Sequence, residues 1–548
     1  MSATAASRLV NTLAAHGVDR VFCVPGESYL NVLDALRDSG IHTVAARQEG
    51  GAAMMAEADG KMTGRPGVCL VTRGPGATNA SSGVHVAEQD STPLILFIGQ
   101  VASHMLGRGA FQEVDYRKFY GGMAKQVFEL GPGDDIAELV STAFEIATSG
   151  RPGPVVVALP EDLQGPVPHD LPTPHPKTAP APEPAADAVR SLETLLGQAA
   201  QPIVIAGGSG WTEAGTRQLR EFAERWRLPV SVVFRRQQLF DHDHPNYAGD
   251  CGIGINPALR RRIEDADLVV LLGTRFSEIP SQGYTLLEEA RPGKQLVHVH
   301  ASEGDRFPHA DLVIRCHPER LLAALDGRPA VATHRAAVVV DSRAEFDAWS
   351  GQPPAIPGTL QMGEVIRHLR EVLPDDAVIT NGAGNYATWI HRFFRFRGFG
   401  TQLAPTSGSM GYGLPAAVAA KLRYPNRTVV CAAGDGCFQM TGQEFGTAVQ
   451  HRAAVIVLVV DNGMYGTIRM HQERRFPGRV HATDIVDPDF AALARAYGGF
   501  GATVSSTEEF APALADALSA NSPAILHLKL DPEAITPDVT LSALAGNR

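Results

Sequence analysis

Short runs of consecutive apolar residues, each closed by glycine or small polar residues and followed by a stretch of helical periodicity, recur along the whole of this 548-residue chain. A strand covered on both faces needs no polar alternation, so such runs read as buried strands of parallel sheets. His42 to Ala46, Ile203 to Ala206, Ala377 to Thr380, Thr428 to Ala433 and Ala454 to Val460 are the clearest. Between the last two, Thr441 to Gln450 reads as a helix. Thr441 would be its N-cap and Glu444, three residues on, would complete a capping box. This strand-helix alternation predicts an α/β protein with three α/β domains, each built on a parallel sheet. Prolines mark the divisions. Pro160 to Pro184 has linker composition, and a second break runs from Gly351 through Pro353-Pro354 to Gly358. The expected domains are therefore 1–165, 187–330 and 358–548.

Composition narrows the partners more than the fold. A net charge of −11 and a pI near 5.9 argue against a nucleic-acid partner or an anionic membrane surface. Arg260-Arg261-Arg262, the strongest basic cluster, reads as a solvated helix face. The six cysteines are scattered without a CxxC pair, several inside apolar runs, which suits buried free thiols of a reducing compartment. The first 20 residues lack a signal-peptide apolar core, and no uninterrupted apolar run approaches membrane-spanning length. A cytoplasmic protein is the expectation.

Candidate chemistry centres on Gly434-Asp435-Gly436, with Asn462 placed 27 residues after the aspartate. The intervening pattern is one strand-helix-strand unit. Carboxyl ends of neighbouring strands lie side by side in an open parallel sheet, so Asp435 and Asn462 should meet and offer two hard oxygens to one cation. Mg²⁺ suits that arrangement, since it takes few protein oxygens and completes its octahedron with phosphate and water. The glycines would let main-chain N–H groups approach a diphosphate closely.

GDGCFQMTGQEF…VVDNGMYGTI resembles the diphosphate-binding motif of thiamine-diphosphate enzymes, in the branch that holds acetolactate synthase, pyruvate oxidase and the 2-oxo-acid decarboxylases. The resemblance covers nearly the whole chain. VPGESYLNVLDAL, RQEGGAAMMAEADG, RGPGATN, DSTPLILFIGQV, AFQEVD and TSGSMGYGLPAA stand in the order and spacing of that branch. It implies a pyrimidine-binding first domain, a central domain and a diphosphate-binding third domain. Glu49 matches the glutamate that hydrogen-bonds the cofactor's aminopyrimidine and promotes removal of the thiazolium C2 proton. Met410 matches the apolar residue that props the bent cofactor, and Gly408 would lend a carbonyl to its amino group. Ala383, Gly384, Asn385 and Tyr386 occupy the second diphosphate-contacting loop. Pro25, Gly26, Gly434, Gly436, Cys437 and Tyr465 fall in cofactor-binding stretches. Asp435, Asn462 and the carbonyl of Met464 would ligate Mg²⁺. The implied reaction decarboxylates a small 2-oxo acid and joins the remaining unit to an acceptor carbonyl, as in acetolactate formation. In this family one subunit supplies the glutamate and another the diphosphate site, so a homodimer or homotetramer is implied.

Some positions depart from acetolactate synthase. Glu27 and Ser28 stand where Gly-Ala is usual near the thiazolium, and are candidate catalytic groups for that reason. Phe111, Gln112 and Lys125 match positions near the acceptor substrate. His471 aligns with a tryptophan of the acceptor pocket, and Arg469 with a nearby methionine. Arg469 either clamps a carboxylate or pairs with a surface acid, and His471 is equally a surface residue. Gly273-Thr274-Arg275-Phe276 is similar to a flavin-contacting stretch, but a second arginine is replaced by Glu278 and Ile279, so FAD is the lesser reading. Asp241-His242-Asp243-His244 reads as a turn before Pro245, and His298 and His300 need no function. The alternatives are a non-ligating decarboxylase or 2-hydroxyacyl lyase of the same family, and, in a different class, a catalytically silent cofactor-binding regulatory subunit.

Overall fold

The computed structural model describes residues 4–167, 176–177, 182–288, 293–302, 304–305, 307–328 and 335–546. Residues 168–175 and 178–181 of the proline-rich linker lie outside the described residues. The first sheet comprises β1 (Arg20–Cys23), β2 (His42–Ala45), β3 (Gly67–Val71), β4 (Leu94–Gln100), β5 (Gln126–Glu129) and β6 (Pro154–Pro160), in the order β2-β1-β3-β4-β6-β5. The central sheet comprises β7 (Pro202–Ala206), β8 (Val230–Val233), β9 (Tyr247–Cys251), β10 (Leu268–Leu272), β11 (Gln295–Val299) and β12 (Leu312–Ile314), in the order β12-β11-β10-β7-β8-β9. The third comprises β13 (Val378–Asn381), β14 (Gln402–Leu403), β15 (Val429–Gly434), β16 (Ile456–Asp461), β17 (Phe500–Val504) and β18 (Ala524–Lys529), in the order β14-β13-β15-β16-β18-β17. Every strand pairing within the three sheets is parallel.

The expected strands are present, shifted by a residue or two at their ends. Two expectations change. The helix Ala336–Ser350 packs against β9 and the helix Pro257–Asp265, so the central unit continues past residue 330. The stretch expected as one helix from Thr441 begins instead at Glu444, and no capping box forms there. The Thr441 hydroxyl donates to the Gly411 carbonyl, and the Glu444 carboxylate accepts from the Arg47 and Gln48 N–H groups of the first domain as well as from Thr447 of its own helix.

Apolar side chains of the first and third domains merge into one continuous core, while the central sheet has separate cores on its two faces. The helix Glu49–Thr63 lies in the shared core with residues 50–60 all buried, which is why its sequence is glycine, alanine and methionine on every side rather than on one stripe. A buried polar cluster crosses the same junction. Lys61 pairs with Glu57 at 3.0 Å and with Asp90, and lies near the Tyr412 hydroxyl, which donates to Glu57 at 2.6 Å. Burial opposes ionisation of Asp90, yet Lys61 and Arg236 hold its carboxyl below the usual range. Arg423 clamps Asp19 and Asp59 across the same seam. Replacing Lys61 by methionine leaves the buried Glu57 carboxylate without its cation and Asp90 with only Arg236, at 3.9 Å. Removing one partner of a buried ion pair costs about 3–5 kcal/mol, and denaturant unfolding of Lys61→Met should show a loss of that size.

Candidate active site

In the third sheet β13, β15 and β16 are neighbours, and each ends in a turn that faces one cavity of about 250 Å³. Ala383, Gly384, Asn385 and Tyr386 follow β13. Gly434, Asp435, Gly436 and Cys437 follow β15, and Asn462, Met464 and Tyr465 follow β16. All of them line the cavity together with Gly408 and Met410. Asp435 is buried, and its carboxylate accepts main-chain N–H bonds from Gly436 at 2.6 Å, Asn462 at 3.1 Å and Gly463 at 2.9 Å. Those bonds join the two turns that were expected to meet. The glycines are required by packing as well as by access. A Cβ on Gly434 would lie 3.0 Å from the Tyr386 ring, and one on Gly436 would lie 2.7 Å from the Tyr465 ring.

Behind this turn the carboxylates of Asp435, Asp461 and Asp487 converge, with ligating oxygens within 4.8 Å of one another. Burial raises the Asp435 carboxyl, and the Asp461 charge adds to that shift. Burial works against ionisation of Asp461 too, but bonds from His527 at 2.7 Å and Lys529 at 2.6 Å hold it well below the carboxylate range. Asp487 is pushed up to about 7, first by burial and then by the other two acids, and its Oδ2 is buried without a hydrogen-bond partner. An orphaned carboxylate oxygen beside two further acids fits a divalent cation. The Met464 carbonyl accepts from Gly466 N–H at 2.8 Å, which leaves its second lone pair for a metal.

The first-domain candidates form a separate group, and none of them lines that cavity. Glu49 is the first residue of its helix and accepts from Asn79 at 3.0 Å. A Cβ on Gly76 would lie 3.2 Å from the Glu49 carboxylate, and one on Gly74 would lie 2.7 Å from Gln112, so both side chains pack against the start of the helix Pro75–Asp90. Pro25 and Gly26 follow β1, and Gly26 packs on Thr72 with no room for a side chain. The Glu27 side chain is 77% exposed, 3.6 Å from Arg73, and Phe111 is 77% exposed. Ser28 is fully buried, its hydroxyl 2.8 Å from that of Thr72 and its carbonyl bonded by Gln164, contacts that shape the turn after β1. The Lys125 ammonium caps the helix Ile136–Thr148 at the Ile146 and Ser149 carbonyls, and burial lowers it to about 8. Arg469 pairs with Glu473 at 3.1 Å, and His471 is exposed on the same helix. Trp389, Thr467 and Ile468 also line the cavity and had gone unnoticed, because nothing in their local sequence marks them.

A second cavity, of about 90 Å³, lies where the three domains meet, beside Gly208, Arg275 and His300. Its arginines are bonded to main-chain carbonyls, Arg236 to Gly208 and Asp90, Arg275 to Gln89 and Arg151 to Glu88. Asp241–His244 is a turn, with His242 buried and bonded to the Gln237 carbonyl.

A fold of three parallel-sheet domains, with a Gly-Asp-Gly turn opening on a cavity at the carboxyl edge of the third, points to a class of cofactor-dependent enzyme. Residues 3–119, 189–325 and 382–528 match the thiamine pyrophosphate enzyme family in its N-terminal TPP binding domain, central domain and C-terminal TPP binding domain respectively. The chain belongs to this family, and it is a thiamine-diphosphate-dependent enzyme of the acetolactate-synthase-like kind. It is 30% identical over 529 residues to the acetolactate synthase isozyme 2 large subunit of Escherichia coli, spanning 95% of both chains. It is 32% identical over 534 residues to the isozyme 3 large subunit of the same organism, spanning 94% of this chain and 92% of the relative. A probable acetolactate synthase large subunit of Methanocaldococcus jannaschii is 29% identical over 557 residues, with 97% and 93% spanned. Loss of an outer-sphere partner of a metal site already costs about 10–100-fold in metal affinity. Asp435→Asn should therefore weaken Mg²⁺-dependent cofactor binding by at least about 100-fold by calorimetry.

Proposed function

We propose that the protein decarboxylates a small 2-oxo acid with thiamine diphosphate and Mg²⁺ and ligates the remaining unit to an acceptor carbonyl, with two pyruvates giving acetolactate and CO₂ as the default reaction. The observation that carries this reading is that every third-domain residue singled out for the cofactor lines one cavity. Bound thiamine diphosphate supplies a nucleophilic carbon and an electron sink for the charge left by loss of CO₂. Asp435, Asn462 and the Met464 carbonyl hold Mg²⁺, and the Gly434 and Gly436 turn admits the diphosphate. The Gly408 carbonyl would accept from the cofactor's amino group, and Met410 would pack against the bound cofactor. Glu49 holds the proton on the pyrimidine ring. Phe111 and Gln112 border the acceptor.

One specific observation favours a second reading. The exposed carboxylate of Glu27 beside Arg73, where the synthases usually carry Gly-Ala, would suit a decarboxylase or 2-hydroxyacyl lyase that protonates its product. Incubation with thiamine diphosphate, Mg²⁺ and pyruvate, without FAD, followed by NMR of the products, separates the two. Acetolactate supports the first reading and acetaldehyde the second. General acid-base groups contribute about 10²–10⁴-fold to rate, so Glu49→Gln should lose at least about 100-fold in turnover. Near-normal turnover in that variant would overturn the Glu49 assignment.

The first-domain and third-domain groups stand apart within the chain, so a complete site calls for a second copy. Phe111 and the fully solvated Val486, 98% exposed, are apolar surface that such a pairing would cover. A homodimer or homotetramer is proposed, and light scattering with cofactor present should give at least twice the mass of one chain. No helix among the described residues is long and apolar enough to cross a membrane. With six buried free thiols and a net charge of −11, a cytoplasmic enzyme without nucleic-acid or membrane partners is proposed.

A further inference from the structure

Helix Glu49–Thr63 has half of a capping box of its own. Its N-cap is Gln48, whose side-chain oxygen accepts from the N–H of Gly51 at 3.1 Å. In a complete box the residue three positions into the helix sends a carboxylate back to the N-cap N–H. That residue here is Gly51, which has no side chain to send. The missing carboxylate comes from the third domain. Glu444, fully buried, accepts from the main-chain N–H of Gln48 at 3.0 Å and of Arg47 at 3.2 Å. The Thr447 hydroxyl donates to it at 2.6 Å, so all three contacts run toward the carboxylate, as its ionised form requires. The substitution is spatial as well as chemical. A Cβ built on Gly51 would lie 2.5 Å from Oε1 of Glu444, in the space that carboxylate fills. The next residue after the capped pair is Glu49.

We propose that Glu444 is a positioning residue, which completes the capping box of the Glu49 helix from another domain and thereby fixes where the Glu49 carboxyl stands. The inference rests on the reading of Glu49 as the group that works on the cofactor's pyrimidine. Glu444 itself touches neither cofactor nor substrate. Its effect should be seen in proton exchange at the bound cofactor's C2 and not in the binding of that cofactor, whose diphosphate and Mg²⁺ are held by other residues.

The test measures C2 proton exchange by quenched-flow NMR and binding of thiamine diphosphate with Mg²⁺ by calorimetry, on the full-length holoenzyme. A displacement of about 1 Å in a catalytic geometry costs up to about 100-fold. Glu444→Ala should therefore slow exchange by roughly 10- to 100-fold, and Glu444→Gln, which keeps one acceptor oxygen, should fall between it and the parent. Affinity for the cofactor should be unchanged in both. Gly51→Ala, which pushes the carboxylate aside without removing it, should slow exchange in the same way and covers the case in which Glu444→Ala does not fold. Parent-rate exchange in Glu444→Gln and Gly51→Ala would overturn the proposal. So would a loss of exchange matched by an equal loss of cofactor affinity, which is the signature of a merely structural contact. Glu49→Gln is the control. If it exchanges at the parent rate, the underlying reading of Glu49 fails, whereas slow exchange there with normal exchange in the Glu444 variants defeats this inference alone.

Discussion

Two carboxylates, Glu57 and Asp90, are buried where the first and third domains meet, and Lys61 is the one cation that reaches both. Taking three charges out of water is worth its desolvation cost only if the geometry is kept, because any separation leaves a carboxylate unpaired in an apolar surround. The cluster therefore fixes how the two domains sit. It also fixes more than packing. Tyr412, which donates to Glu57, is two residues beyond Met410, and Thr406, whose N–H donates to Asp90 at 2.7 Å, is two residues before Gly408. Both ends of the loop that lines the cofactor cavity are thus tied to the same buried charges. The central domain joins the network through Arg236, which bonds the Asp90 carbonyl.

Much of this was legible in the sequence, for reasons that can be named. The buried strands declared themselves as uninterrupted apolar runs, because parallel strands covered on both faces carry no alternation. Asp435 and Asn462 could be brought together from sequence, because each follows a strand and adjacent parallel strands place their carboxyl ends side by side. What sequence could not supply was direction. Glu444 matched a local capping pattern, yet its carboxylate found donors in another domain, a choice that only tertiary packing makes. The burial of Ser28 and the helix-capping contact of Lys125 are likewise set by neighbours far away in sequence. Asp487 carried no signal at all, since its place beside Asp435 and Asp461 depends on a loop folding back over the turn.

The glycines of the diphosphate turn illustrate how one residue type answers two demands. Close approach of main-chain N–H groups to phosphate was reason enough to expect them. The structure adds a steric reason, because the Tyr386 and Tyr465 rings occupy the space where side chains at 434 and 436 would go. Tyr386 is held in turn, its hydroxyl accepting from the Gly382 N–H at 3.0 Å. The turn is rigid because rings fill what glycine leaves, and a rigid turn loses less conformational freedom when a ligand arrives.

The same economy of chain links the two groups of functional residues. Asp435 and Glu444 lie in one short segment, which holds the Asp435 carboxylate of the cavity at one end and the cap of the Glu49 helix at the other. Yet Glu49 does not line the cavity beside Asp435. A segment that orients both halves of a catalytic apparatus, while the halves stay apart in one chain, makes sense if each half completes a site with another copy. A two-fold interface is self-complementary, so the pairing that joins Glu49 of one chain to the cavity of its partner creates the reciprocal site at the same time. In that arrangement the residues of 435–444 would carry the diphosphate side of one site at the Asp435 end and the pyrimidine side of the other at the Glu444 end.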